Sequence, residues 1–520
     1  MFFLTTAIDY TNGAPHIGHA YEKLWADVIT RYQRLAGNKA FFLTGVDQHG
    51  QKVQQTAEKE GVHPATFAKK KTKAFVKLWE KMGIEYDGWA ETTADVHKAC
   101  VQKILTRLFE EGQIYKKRYK GFYSVRQEQF LTDKERGEDG EFGPEWGEVE
   151  ERDEENYYFK LSDHLTWLRG VVEDEKFGIL PAFRKSEVLN ALDWDGEDAD
   201  LCISRPKERL RWGIEIPFDP EFVTYVWFDA LINYISFAGY LAQEDAELPK
   251  FEDLWPANVH IIGKDITVPS HAIYWPCMLH ALGFSDEQLP TLLVHGWWNI
   301  SGEKMSKTLG NVVDPNELAD TYGIDALRYY LVRDITAGKD SDFDLDRLVG
   351  LFNTELANKA GNLLNRSLNM TRKNLGSELP QFGYEDEQNR ALRESLEKAT
   401  ATYKEAMDNY ETSSALKALI DHIAETNAYI DRTEPWALAK DESKRDQLAS
   451  VLYHACETCA HFSILLSPVL PDAAKRIQSQ LKLEELPMLP KLKWGLLKPG
   501  HQIGKPKPVF PKLELPDTVA

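Results

Sequence analysis

Phe2-Phe3-Leu4-Thr5-Thr6-Ala7 opens the chain, and after a short interval Pro15-His16-Ile17-Gly18-His19 leads into a run whose apolar positions are Leu24, Val28, Ile29 and Tyr32. The first segment predicts a buried strand. Asn12-Gly13-Ala14-Pro15 predicts a loop, and the spacing of the later apolar residues predicts a helix. A second apolar strand is expected over 40–44. Strand, turn, helix and strand in that order predict a parallel α/β sheet of the doubly wound, Rossmann type. His16 and His19 flank a glycine in the first turn of the helix, where backbone N–H groups and the helix dipole favour phosphate. Taken alone, such a turn more often reflects chance or a helix cap than catalysis.

Working outward, further strands of the same unit are expected at 223–227, 259–262 and 291–294. These readings divide the chain into a catalytic α/β domain in two halves (1–115 and 200–300), an acidic, aromatic insertion (116–199) and a connecting segment with a Gly-flanked loop (301–347). An α-helical bundle (348–485) follows, in which strand signals nearly vanish and amphipathic patterns such as Leu356, Leu363, Leu364 dominate. Prolines at 487, 490, 499, 506, 508, 511 and 516 predict an extended tail over 486–520.

With 62 Lys and Arg against 82 Asp and Glu, the net charge of −20 disfavours indiscriminate nucleic-acid binding. The charge is unevenly spread, however. Between 133 and 155 stand twelve acids and three bases, whereas 491–512 holds six lysines and no acid. Local basic tracks can therefore exist on an acidic chain. No apolar run reaches the roughly 18 residues a membrane helix requires, and the N-terminus enters a strand with no signal or transit pattern before it. Five scattered cysteines argue against a disulfide framework and for the reducing cytoplasm.

The second chemical element is Ser301-Gly302-Glu303-Lys304-Met305-Ser306-Lys307-Thr308-Leu309-Gly310-Asn311. Two lysines three apart in a Gly-flanked loop suit a migrating triphosphate charge; the bland alternative is a solvated surface loop. Together with His16-Ile17-Gly18-His19, this loop resembles the paired signatures HIGH and KMSKS of the class I aminoacyl-tRNA synthetases, with Thr308 keeping the hydroxyl of the final serine. The resemblance implies ATP with Mg²⁺ as a substrate, bound through His16, Gly18, His19, Lys304, Lys307 and Thr308. His16, His19, Lys304 and Lys307 are then the catalytic donors that stabilise charge moving onto pyrophosphate.

Several segments narrow the resemblance to the methionyl family. They are Thr6-Ala7-Ile8-Asp9-Tyr10-Thr11-Asn12-Gly13, Thr44-Gly45-Val46-Asp47-Gln48-His49-Gly50, Tyr225-Val226-Trp227-Phe228-Asp229-Ala230 with Tyr234, Ile262-Gly263-Lys264-Asp265-Ile266, and His271-Ala272-Ile273-Tyr274-Trp275-Pro276. By this resemblance Ala7, Ile8, Tyr10, Asp47, Trp227, Ala230, Tyr234, Ile266, His271 and Trp275 bind L-methionine. Asp47 takes the ammonium, and aromatic edges suit a polarizable thioether. For any one of these aromatics, core packing is the competing reading. Ser270 stands where a pocket Phe is common in the family, after Ile266-Thr267-Val268-Pro269, a segment one residue longer than the usual pattern.

Members often carry a Cys-x-x-Cys zinc knuckle in the insertion, but this chain has no cysteine from 101 to 201, so no structural zinc is expected. Cys456 and Cys459 lie in an apolar helical run that reads as core. Asn362, Arg366 and Trp436 match the family's anticodon-reading positions and imply tRNA(Met) as partner: an amide and a guanidinium for base edges, an indole for stacking. The chain stops soon after its Lys/Pro-rich tail, without the further tRNA-binding and dimerising domain of some relatives, and a monomer is expected. The competing readings are another class I synthetase for an apolar amino acid, a non-catalytic tRNA-binding paralogue, and an unrelated adenylyl-transfer enzyme.

Overall fold

The computed structural model describes residues 1–124, 129–131, 136–137, 139–192, 199–300, 302–304 and 312–515. Two compact units emerge, one comprising Met1–Pro15, Phe41–Lys77 and Tyr86–His295, the other His16–Ala40, Leu78–Glu85 and Gly296–Ala520.

In the first unit, strand Phe2–Thr6 lies within a seven-stranded sheet ordered Asp9–Tyr10, Ala40–Asp47, Phe2–Thr6, Val259–Gly263, Thr291–His295 and Ile179–Leu180, with Gly88–Glu91 also pairing Ala40–Asp47. Its register is parallel at Leu4↔Val259, Val259↔Thr291, Leu292↔Ile179, Tyr10↔Asp47 and Leu43↔Gly88. Strands buried on both faces need nearly continuous apolar runs, and Val259-His260-Ile261-Ile262 is buried throughout. The polar exceptions satisfy one another: Thr5 Oγ1 lies 2.5 Å from His260 Nδ1, and Thr6 Oγ1 lies 2.7 Å from Thr44 Oγ1. In doubly wound sheets, ligands bind beyond the carboxyl ends of the strands. Tyr10, Asp47 and Gly263 occupy such ends.

The insertion forms a four-stranded antiparallel sheet built on Ile114–Ser124 and Val149–Phe159. Its acidic character is explained by cross-strand pairing: Lys116 meets Glu155 at 3.3 Å, Arg118 meets Asp153 at 2.8 Å, and Lys120 meets Glu151 at 2.9 Å. Exposed pairs of this kind contribute little energy because water screens them. Their alternation opposes a register slip.

The second unit is mainly helical. Arg328 is 1% exposed; it bonds Asp27 at 2.6 Å and the carbonyls of Val469 and Met82 at 2.8 and 3.0 Å. A buried guanidinium so fully hydrogen-bonded ties the helix Ile17–Leu35 to the later helices of the same unit.

Two expectations change. The strand read over 223–227 ends at Thr224, and Val226–Leu231 is a helix. A short apolar run does not by itself distinguish the two, and the helical turn brings buried Asp229 to the histidines that hold it. The tail is firmly docked. Its strand His501–Gln502 pairs with Glu378–Leu379, and Leu497, Ile503, Val509 and Phe510 are buried.

Candidate functional site

Tyr10 and Asp47 are register partners at the ends of adjacent parallel strands. Asp47 is buried, and its Oδ1 accepts from the Thr92 hydroxyl and the His49 backbone N–H, each at 3.3 Å. A carboxylate fixed in this way at the end of a sheet suits an ammonium ligand. Gly50, at φ +106°, leaves room beside it: a Cβ there would lie 2.5 Å from the Tyr10 hydroxyl. Ala7 is buried and Ile8 half-buried in the connection between the strands Phe2–Thr6 and Asp9–Tyr10.

A second cluster of this unit centres on His271. Its Nδ1 lies 2.7 Å from the Ile266 carbonyl, which only accepts, so Nδ1 carries the proton. In the neutral ring Nε2 then accepts from the Tyr234 hydroxyl at 2.7 Å, and the two bonds fix the orientation of the imidazole. Trp227 presents its ring edge-on to His271 at 6.1 Å. Ala230 is on the same short helix, Val226–Leu231. Trp275 is fully buried. Its indole N–H donates to His260 Nε2 at 3.2 Å, so the ring backs Tyr234, at 5.6 Å, and has no donor left for a ligand. The longer segment before His271 is kinked, with Val268 extended (φ −114°, ψ 130°) before the helical turns that carry Ser270 and His271; Ser270 donates to the Ile266 carbonyl at 2.7 Å.

Beside them is a buried set of which sequence reading quoted Asp229 and His49 within motifs without assigning them, and missed His97 and Ser236. Asp229 accepts from His49 Nδ1 at 2.6 Å and His97 Nε2 at 2.7 Å, and His97 Nδ1 bonds Ser236 at 2.7 Å. Burial pushes the Asp229 carboxyl up, but its two histidines outweigh that and hold it below the usual carboxylate range. Asp229 thereby joins the loop after Asp47 to the helix carrying Trp227 and Ala230. Burial, then the neighbouring His271, hold His260 well below the usual imidazole value. Sequence carried one signal for this set, an acid inside the apolar run Val226-Trp227-Phe228-Asp229-Ala230.

In the second unit, His16 is the N-cap of helix Ile17–Leu35 and His19 its third residue. The Gly18 N–H donates to His16 Nδ1 and the His16 N–H to His19 Nδ1, both at 3.1 Å. Each Nδ1 is an acceptor, so each ring carries its proton on Nε2 and presents a donor beside the positive end of a helix dipole. The rings lie 3.8 Å apart, and a Cβ on Gly18 would sit 3.0 Å from the His16 ring. The capping and phosphate-binding readings of this turn are therefore compatible. Lys304 lies in the strand Glu303–Lys304, paired with Asn299 of Trp298–Ile300. Lys307 and Thr308 fall outside the described residues.

Also in the second unit, Arg366 bonds Asp431 at 2.6 Å and lies 6.0 Å from the ring of Trp436, which is 44% exposed. Asn362, one helical turn before Arg366, approaches Asn427 at 3.5 Å. Large aromatics are usually buried, so an exposed indole beside a guanidinium offers a stacking plane. Cys456 and Cys459 are wholly buried within helix Arg445–Leu465, and burial pushes the Cys456 thiol up to about 12, as core residues rather than reactive thiols.

Residues 2–139 and 146–368 match the family model described as tRNA synthetases class I (M), and 379–518 match the anticodon binding domain of methionyl tRNA ligase. The chain is 40% identical over 522 residues to a methionine–tRNA ligase of Caldanaerobacter subterraneus subsp. tengcongensis, spanning 100% of this chain and 80% of that protein. It is 39% identical to the ligase of Thermotoga maritima, over 99% and 81%. Among solved structures, Mycobacterium tuberculosis methionyl-tRNA synthetase bound by methionyl-adenylate superposes with a TM-score of 0.88 at 34% identity, covering 98% of this chain and 100% of that one.

Proposed function

Because this chain belongs to the class I methionyl-tRNA synthetases, we propose how its residues divide the work of activating L-methionine with ATP and charging tRNA(Met). The methionine carboxylate attacks the α-phosphorus, the bond to the leaving pyrophosphate breaks, and methionyl-adenylate forms. A hydroxyl of the tRNA's terminal adenosine then attacks the activated carbonyl, and AMP leaves. Neither step needs a covalent enzyme intermediate; alignment and neutralisation of charge supply the catalysis.

In this reading Asp47 binds the substrate ammonium, and Tyr10, Ala7 and Ile8 line its surroundings. Trp227, Ala230, Tyr234, Ile266 and His271 receive the side chain, with Trp275 behind Tyr234. A neutral His271 suits an uncharged thioether better than an imidazolium would, because no bare charge is desolvated against it. The Nε2–H donors of His16 and His19, with Gly18, Lys304, Lys307 and Thr308, bind ATP as its Mg²⁺ complex. The single observation carrying this reading is the hydrogen-bonded Tyr234–His271 pair with Trp227 edge-on to it, in a chain whose whole length matches methionine-named relatives.

Residues 1–115 and 200–300 act as the catalytic domain, 116–199 as the insertion, 301–347 as the connecting segment, and 348–485 with the tail 486–520 as the anticodon side, where Asn362, Arg366 and Trp436 read bases. The thiolate donors of a zinc knuckle do not occur in the insertion, so the residues do not fit that metal and the enzyme works without structural zinc. No described helix is long and apolar enough to cross a membrane. Five free cysteines support a cytoplasmic setting, and a net charge of −20 supports a monomer through self-repulsion. The test is transfer: enzyme incubated with ATP and methionine, then freed of both, passes a stoichiometric methionyl group to tRNA(Met). Failure with wild type, or undiminished transfer by Lys307→Ala prepared in the same way, overturns the assignment.

A further inference from the structure

The helix Val226–Leu231 has six residues. An isolated helix in water is only marginally stable below roughly 12–15 residues, so the placement of this one depends on what its side chains grip. At about 100° per residue, Trp227 and Ala230 share one face, and Asp229, about 200° from Trp227, stands on the other. The front of the helix serves the side-chain cluster around His271. The back carries a buried carboxylate.

Two routes lead from that carboxylate to Asp47. The first runs through His49, whose ring bonds Asp229 Oδ2 at 2.6 Å while its backbone N–H donates to Asp47 Oδ1 at 3.3 Å. The second runs through helix Asp95–Glu110, from which His97 bonds Asp229 Oδ1 at 2.7 Å. Just before that helix, Thr92 donates to Asp47 Oδ1 at 3.3 Å and accepts the Gln48 backbone N–H at 2.9 Å. Asp229 and His97 are wholly buried, and Ser236 closes the set on His97 at 2.7 Å. The loop and the helix also pack closely, since a Cβ on Gly50 would lie 3.3 Å from Val226 Cγ2. Burying a carboxylate is costly even when it is paired, and apolar side chains often fill such a place with equal or better stability. What the paired set adds beyond packing is direction: one bond from each carboxylate oxygen, fixed in length and angle.

An amino acid held by its ammonium at Asp47, with its side chain ending against Trp227 and His271, spans the distance that this set fixes. Resting on the proposed methionine pocket, we infer that Asp229 is a specificity-determining positioning residue. With His49 and His97 it forms the strut that sets the separation of the ammonium site from the Trp227 wall, and so the side-chain length the pocket accepts. It acts through Trp227 and His49 rather than on the substrate. A rigid pocket rejects one extra methylene by about 10- to 200-fold, and a pocket that yields admits it.

The test compares L-methionine with L-ethionine, its homologue longer by one methylene, in ATP–pyrophosphate exchange by the full-length enzyme. Asp229→Ala removes the strut. It should raise KM for methionine about tenfold, leave KM for ATP little changed, and lower the methionine-to-ethionine ratio of kcat/KM at least about fivefold. Asp229→Asn should stay within about threefold of wild type on each, because its amide still bonds both imidazoles once one of them moves its proton to the other ring nitrogen. His49→Ala cuts one arm and keeps the backbone N–H to Asp47; it should shift the ratio in the same direction by less, and it carries the test if Asp229→Ala does not fold. Equal losses for methionine and ethionine in the alanine variants, or an unchanged ratio, would show that Asp229 only supports the fold and would overturn the inference. If Asp47→Ala raises KM for methionine while the ratio stays fixed in the alanine variants, the strut fails and the pocket reading stands. If Asp47→Ala also leaves KM for methionine unchanged, the pocket reading fails with it.

Discussion

Glu457 holds the tail in place, and its neutral isostere reads out how strongly. The carboxylate is fully buried in helix Arg445–Leu465 and accepts the backbone N–H groups of Gly495 and Leu496 on Oε1, at 2.6 and 2.7 Å, and of Leu497 on Oε2, at 2.8 Å. His461 Nε2 lies 3.2 Å from Oε1. Glu457→Gln fills the same volume, but only one of its two terminal atoms accepts. The better orientation keeps the carbonyl at the Oε1 position and sets an amide NH₂ against the Leu497 N–H. One charge-assisted bond is lost, worth about 1.5–3 kcal/mol, and the two that remain become neutral bonds of about 1 kcal/mol each. The total is about 2.5–7 kcal/mol of local stability, which corresponds to a rise of about two to five orders of magnitude in the opening equilibrium of the tail. Hydrogen exchange with mass spectrometry is the assay. Amides over 495–497 should lose that much protection while the sheet strand Val259–Gly263 exchanges as before. Unchanged protection at 495–497 would refute the view that this carboxylate anchors the tail.

Tyr234→Phe removes the donor to His271 Nε2 and leaves a buried acceptor unsatisfied; KM for methionine should rise about tenfold in pyrophosphate exchange with KM for ATP little changed. An unaltered methionine KM would count against the pair's role. Gly50→Ala forces a side chain into a φ of +106° and within 2.5 Å of the Tyr10 hydroxyl. It should lower kcat/KM for methionine roughly tenfold or more, and wild-type kinetics would contradict the argument. Burial holds His164 and His422 down to about 4, and His260 well below its ordinary value. Their depressed folded-state values mean that below the unfolded value near 6.5 the unfolded chain binds more protons. Stability should therefore fall as pH drops from 6.5 toward 4, read as a declining urea midpoint, and a flat midpoint across that window would contradict the reading.

The parallel sheet was legible because buried strands advertise themselves as apolar runs: 2–7, 40–44, 259–262 and 291–294 each fall on strands of the seven-stranded sheet. Where the run was short and carried a buried acid, as at Val226–Leu231, periodicity did not distinguish strand from helix, because Asp229 is satisfied by His49 and His97 from distant parts of the chain. The His-Ile-Gly-His turn was legible as a helix start, though not as a capping pair that sets both tautomers; that follows only from Nδ1 distances. Trp275 shows the limit for aromatics. Its residue type suits a thioether pocket, yet only coordinates reveal that its N–H serves His260. The tail's prolines announced an extended chain. Its docking depends on single side chains that no local pattern marks: Glu457, Gln480, which pairs with Lys507, and Asn353, which pairs with Leu513.

The central claim is that this chain activates methionine, and ATP–pyrophosphate exchange by the purified protein, run with each amino acid in turn, tests it most directly. The account predicts exchange that depends on methionine, exceeds that with leucine, isoleucine, valine or cysteine by orders of magnitude, and collapses in Asp47→Ala. Exchange driven better by another amino acid, or absent with all of them, would contradict it.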